Sequence, residues 1–151
     1  MQKKIKLSAS LEDYLETIYH IISEKGVARA KEIASTLKVS RSSVTEAFRS
    51  LAQKGLINYA PYEVITLTPR GKEMAEDVIR RHQALKDFFI KVLAVNDKIA
   101  EDGACRVEHV APREIIERLS MFVDFIEACP QNGSELIKKF NTYCSMGKIR
   151  G

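Results

Sequence analysis

The sequence predicts a mainly α-helical protein with one small β-hairpin, and three observations carry the prediction. Apolar residues recur at the helical period in most segments of the 151-residue chain. Two short β-prone runs, "LINYA" and "VITLT", are separated only by Pro61-Tyr62-Glu63, which is hairpin chemistry. Serine, glycine and proline stand where helices would start and stop, as at Ser40, Gly26, Gly55 and Pro112.

In chain order, Ser10 precedes "LEDYLETIYHIISEKG", in which Leu11, Tyr14, Leu15, Ile18, Tyr19, Ile21 and Ile22 share the helical period and Gly26 ends the run. A second helix fits Arg29 to Leu37, followed by the break Lys38-Val39. Ser40 is placed to cap a third helix, "RSSVTEAFRSLAQKG", with Val44, Ala47, Phe48 and Leu51 on one face. The hairpin follows, then Thr68-Pro69-Arg70-Gly71, which suits a turn or a helix start. A long helix is expected over Lys72 to Val95, and "NDKIAEDGA" reads as a polar break. Pro112 opens "PREIIERLSMFVDFIEA", where Ile115, Ile116, Leu119, Phe122, Val123 and Ile126 form an apolar stripe widened by Met121 and Phe125. A stripe this broad serves either an internal core or a face buried against a second copy, and Ile115, Leu119, Phe122, Val123 and Ile126 are the candidate dimer contacts. One weaker helix, "SELIKKFNTYC", follows Cys129-Pro130 in a tail, 130–151, of unsettled structure.

Composition narrows the function. Hydrophobic residues at 45% and charged residues at 29% are ordinary for a globular chain. No apolar run approaches the roughly 20 residues of a membrane span, and the basic N-terminus lacks an apolar signal core. Three cysteines without CxxC spacing do not suggest a disulfide framework, so a cytoplasmic protein is expected. The net charge of +4 lies in the first half: residues 1–73 carry 12 Lys/Arg against 8 Asp/Glu, and residues 74–151 carry 12 of each. That imbalance favours a polyanion-facing first half.

Helix, short turn, helix and two-stranded wing is the arrangement of a winged helix-turn-helix. Its third helix suits a DNA major groove about 12 Å wide. Ser40, Arg41, Ser42, Ser43 and Thr45 at its start, and Glu46 one turn in, are the candidate base and backbone readers. Lys31, Lys38, Arg49, Lys54 and Arg70 are candidates for phosphate. Two domains are therefore expected: 1–73 for double-stranded DNA and 74–151 for the helical remainder.

Metal-ligating residue types are thinly spread. Asp13 and Glu16 lie one turn apart on the first helix, His82 sits in the long helix, and Cys105, Glu108 and His109 form C-x2-E-H. Each alone is more often a solvated helix face. Together, "EDYLETIY", "VSRSSVTEAFRSLAQKGLI", "LTPRGKEMAEDVIRRH" and "CRVEHV" resemble, in order and spacing, the DtxR/MntR family of metal-dependent bacterial repressors. The resemblance runs from about Leu7 to Ala128.

That resemblance implies a winged-helix DNA-binding domain joined to a helical dimerisation domain, with a divalent metal between them and a homodimer on a palindromic operator of metal-uptake genes. By position it implies Asp13, Glu16, His82, Cys105, Glu108 and His109 as ligands. The chain mixes two branches of the family. Asp13 matches the manganese-sensing branch and Cys105 the iron-sensing one, while Lys86 stands where the iron branch's second site has a carboxylate, with Glu101 a substitute near His82. A thiolate among carboxylates and imidazoles favours Fe(II), then Mn(II), with Zn(II), Co(II) or Ni(II) able to bind in vitro. The rival readings are a winged-helix regulator sensing an organic ligand or oxidation through Cys105, a structural zinc site, and a small metalloenzyme. The last lacks a positioned general base, so no enzyme is expected.

Overall fold

The computed structural model describes residues 5–60, 64–129 and 131–147. Seven helices and one two-stranded sheet are present among them: α1 Ala9–Lys25, α2 Ala30–Leu37, α3 Arg41–Gln53, β1 Ile57–Asn58, β2 Thr66–Leu67, α4 Pro69–Lys91, α5 Asp97–Val107, α6 Arg113–Ala128 and α7 Gly133–Gly147. The chain separates into two compact units, residues 1–79 and 80–151, with α4 contributing to both.

In the first unit α1 starts two residues earlier than the run that follows Ser10, and Ser8 caps it. Its backbone is extended there, and its hydroxyl accepts the Leu11 N–H at 3.2 Å. A cap needs that extended conformation three residues before the donor, and Ser10 already lies inside the helix. Gly26, at φ 83°, closes the other end by donating its N–H to the Ile22 carbonyl. Lys38 takes the same left-handed conformation at φ 54°, and this turns α2 into α3. Ser40 caps α3 as its position predicts, accepting the Ser43 N–H.

The wing pairs β1 and β2 antiparallel in the register Ile57 with Leu67 and Asn58 with Thr66. A bridge between Ala28 and Ile65 ties the residues just before α2 to it. The expected turn, Pro61-Tyr62-Glu63, lies outside the described residues. Thr68 then starts α4: its hydroxyl donates to the Gly55 carbonyl at 2.6 Å and accepts the Gly71 N–H at 3.0 Å. Pro69 occupies the first helical position, where a missing N–H costs nothing. Gly71 is required there, because a Cβ would lie 1.8 Å from the Leu56 carbonyl oxygen. Leu15, Ile18, Ile33, Val44, Phe48, Leu51, Leu56 and Ile65, all inaccessible to solvent, fill the centre of this unit.

The second unit departs further from expectation. Helix α4 stops at Lys91 rather than Val95, and Ala94 turns the chain at φ 55°. The predicted polar break is α5, capped by Asn96, whose side-chain oxygen accepts the Ile99 N–H at 2.9 Å. Its buried face is made of small residues, Ala100 and Ala104. A Cβ on Gly103 would stand 3.3 Å from the Phe89 ring, so α5 packs close to α4. Leu85, Ala104 and Ile116 form the core, with Phe89, Val107 and Leu119 packed on it.

The stripe on α6 divides. Ile116, Val123 and Ile126 are buried within the chain, whereas Ile115, Met121, Phe122 and Phe125 are exposed. At the start of α7 a Cβ on Gly133 would lie 2.1 Å from the Ile126 carbonyl oxygen. No helix among the described residues is long and apolar enough to cross a membrane.

Candidate metal centre and nucleic-acid interface

Glu108 is the C-cap of α5 and is wholly buried, an unusual place for a carboxylate. The residue that seats it is Arg81 on α4, whose Nη1 donates to the Glu108 carbonyl oxygen at 2.7 Å. That contact satisfies one of the carbonyls left over at a helix end. Nothing in the sequence singles out Arg81 from the other basic residues of α4.

Three of the sequence-predicted ligands meet here. Oε2 of Glu108 is 2.5 Å from Nδ1 of His82, and Nε2 of His109 stands 3.3 Å from Oε1 of Glu108. Oε1 nevertheless accepts no hydrogen bond among the described residues. A buried carboxylate with an oxygen in that state asks for a cation. One carboxylate and two imidazoles are a donor set that divalent Mn, Fe or Zn accepts, so the residues fit a metal.

Without one, His82 supplies the positive charge. Its pKa rises from 6.5 to about 9, chiefly through the hydrogen bond to Glu108, against the effect of burial and with help from Glu101. Glu101 lies on the far side of the ring, its Oε1 2.9 Å from Nε2. Its carboxyl is held below the usual range, first by Lys86 and then by His82. Cys105 precedes Glu108 by one turn of α5 and is exposed.

In the first unit, Asp13 and Glu16 lie one turn apart on α1 and are half-buried, and Glu16 is 3.6 Å from Nε2 of the exposed His20.

The nucleic-acid candidates all belong to the first unit. Lys31, Lys38, Ser40, Arg41, Ser42, Ser43, Glu46 and Arg49 are exposed, and Thr45 is half-buried with its hydroxyl donating to the Arg41 carbonyl at 3.0 Å. The hydroxyl of Ser40 is engaged as the cap and lies 3.0 and 2.9 Å from those of Ser42 and Ser43. Lys54 reaches Ser50 at 3.3 Å, and Arg70 is exposed.

Residues 6–65 match the family described as iron dependent repressor, N-terminal DNA binding domain. Residues 68–136 match its companion, the metal binding and dimerisation domain. An HTH-type transcriptional regulator of Methanocaldococcus jannaschii is 39% identical over 78% of this chain and 95% of its own length. The HTH-type transcriptional regulator MntR of Bacillus pumilus is 34% identical over 84% of this chain and 88% of its own. Among solved structures, a manganese-dependent transcriptional repressor in complex with manganese superposes with a TM-score of 0.67 at 27% identity. It covers 76% of this chain, which spans about half (53%) of that longer protein. These families and relatives are transcriptional regulators, not enzymes.

Proposed function

This chain belongs to the iron-dependent repressor family, the DtxR/MntR repressors, and from that premise we propose how its metal-dependent repression works. One divalent ion is ligated by Glu108, His82 and His109, joined by Cys105 and by Asp13 and Glu16 of α1. The observation that carries this reading is the buried Glu108, with an imidazole beside each oxygen and one oxygen accepting no hydrogen bond among the described residues.

Ligands drawn from α1 as well as from α4 and α5 couple metal occupancy to the DNA-reading half. Without the ion, the tie that these shared ligands would supply is lost. With it, a homodimer presents two α3 helices to the half-sites of a palindromic operator, about 34 Å apart or a multiple of that. A coupling of about 1–3 kcal/mol is enough to switch occupancy several-fold to a hundredfold. The dimer surface is the exposed part of the α6 stripe, Ile115 and Phe122 with Met121 and Phe125. Fe(II) is favoured over Mn(II) in proportion to the role of Cys105, because a thiolate suits the softer ion. The regulated genes are those of metal uptake, and the setting is the cytoplasm.

The test is operator binding by gel shift in EDTA and with Fe(II), Mn(II) and Zn(II), for wild type and Cys105→Ala. Metal-dependent binding is expected, with the Fe(II) response weakened in the variant. Equal DNA affinity with and without metal refutes the proposal. A full Fe(II) response in Cys105→Ala removes the cysteine and the iron preference while leaving the rest.

A further inference from the structure

Beyond the far side of His82 lies a second group of charges that the ligand set does not use. Oε1 of Glu101 is 2.9 Å from Nε2 of His82. Its other oxygen, Oε2, is 3.0 Å from Nζ of Lys86, and the same ammonium is 3.2 Å from Oδ1 of Asp97. His82 and Lys86 are one turn apart on α4, and Asp97 and Glu101 one turn apart on α5, so the four side chains interlock across two helices.

The chemistry of this group is that of a small cation site already filled. Two carboxylates and an imidazole nitrogen are donors that a divalent ion accepts, but here an ammonium sits against both carboxylates. A metal arriving there would have to displace a tethered positive charge whose side chain is only 23% exposed. The same contacts settle which way the imidazole faces. With Nε2 against Glu101, Nδ1 is the nitrogen presented to Glu108, the outer-carboxylate arrangement that orients metal-binding histidines.

We propose that Lys86 is a built-in cation that closes the far side of His82 to metal, limiting the chain to one ion per subunit. Through Glu101 it also acts as a positioning residue that keeps Nδ1 of His82 toward that ion. This inference rests on the reading that the Glu108 centre binds metal, and stoichiometry separates the two.

The experiment uses the full chain and Co(II), with bound metal counted by equilibrium dialysis and elemental analysis and coordination followed by visible absorption. Wild type is expected to hold one Co(II) per chain. Lys86→Arg, which keeps the charge, holds one with the wild-type spectrum; Lys86→Glu holds two. If Lys86→Glu loses its helical circular dichroism, Lys86→Gln replaces it and is expected to take a second, weaker ion. Glu101→Gln keeps one ion but binds it roughly 10- to 100-fold more weakly, with an altered spectrum. Two ions on wild type overturn the inference and leave the metal-dependent reading standing, whereas no ion on wild type overturns both. One ion on a folded Lys86→Glu or Lys86→Gln chain removes the role of the lysine. Wild-type affinity in Glu101→Gln removes the positioning.

Discussion

The two units are similar in length and built to different standards. Among the described residues, the core cluster of the first unit holds fourteen buried side chains, and that of the second holds three. The surfaces invert the pattern: of thirteen exposed large hydrophobic residues, only Val27 and Val39 belong to the first unit. The second unit also buries a carboxylate, Glu108. The buried Glu108 and the exposed Phe122, Phe125, Tyr143 and Met146 are the parts of this unit that the proposed ion and second copy would cover. The first unit closes on itself and presents a polar, basic helix instead.

That contrast is easiest to break at Glu108. Glu108→Gln should abolish metal-dependent operator binding, read by gel shift, because it removes the buried carboxylate on which the two imidazoles converge. It should leave the first unit's amide-exchange protection unchanged. Retained metal response in this variant would sink the view that the second unit is completed by an ion.

The two crowded glycines give a matched pair. Gly71→Ala drives a methyl into the Leu56 carbonyl at the edge of a dense core and should cost about 3 kcal/mol in urea unfolding. Gly133→Ala meets the Ile126 carbonyl nearly as closely, but α7 packs on α6, outside the second unit's core cluster. A cost of about 1 kcal/mol is expected there. Equal costs would mean the second unit is as rigid as the first.

Titration of His82 sharpens the same point. Its pKa is raised above 6.5 to about 9, so its pairing with Glu108 stabilises the metal-free chain fully below pH 6.5 and is lost as pH climbs through about 9. An ion taking Nδ1 must displace that proton. Metal affinity should therefore rise with pH across the same window, by up to about tenfold per unit, and then level off. Urea midpoints in EDTA and metal titrations, both run from pH about 6 to about 10, should move in opposite directions. Parallel movement would detach His82 from the ion.

The smallest effect concerns Ala94, held at φ 55° after α4. Ala94→Gly relieves that conformation and should raise stability by about 0.5 kcal/mol, visible as a slightly higher urea midpoint. A loss of stability would show that the Ala94 methyl is packed rather than strained.

The first unit was legible because its signals are local and agree. Ser40, Gly26 and the helical spacing of Val44, Ala47, Phe48 and Leu51 each say the same thing about α1 to α3. Helix α5 was not legible. Its buried positions are Ala100 and Ala104, and residues that small carry too little hydropathy to mark a face among Asp97, Lys98, Glu101 and Asp102. On α6 the periodicity gave the stripe but not its division, since Val123 and Phe122 look alike until the neighbours are placed. Of the candidate site, the residue types were visible in the sequence, but only the family resemblance joined them into one set. That Glu108 is wholly buried was not visible, because a charged residue is expected at the surface, and neither was the part played by Arg81 and Asp97, which lie far apart in the chain.

The Ser40 cap has a consequence for how such a protein changes over time. The hydroxyl that starts α3 is committed to its own backbone, while the side chains of Arg41, Glu46 and Arg49 are exposed to solvent. On the proposed reading, the helix start and the sequence preference are thereby lodged on different side chains of one helix. A descendant could rewrite its operator by exchanging the outward residues and still inherit the helix intact.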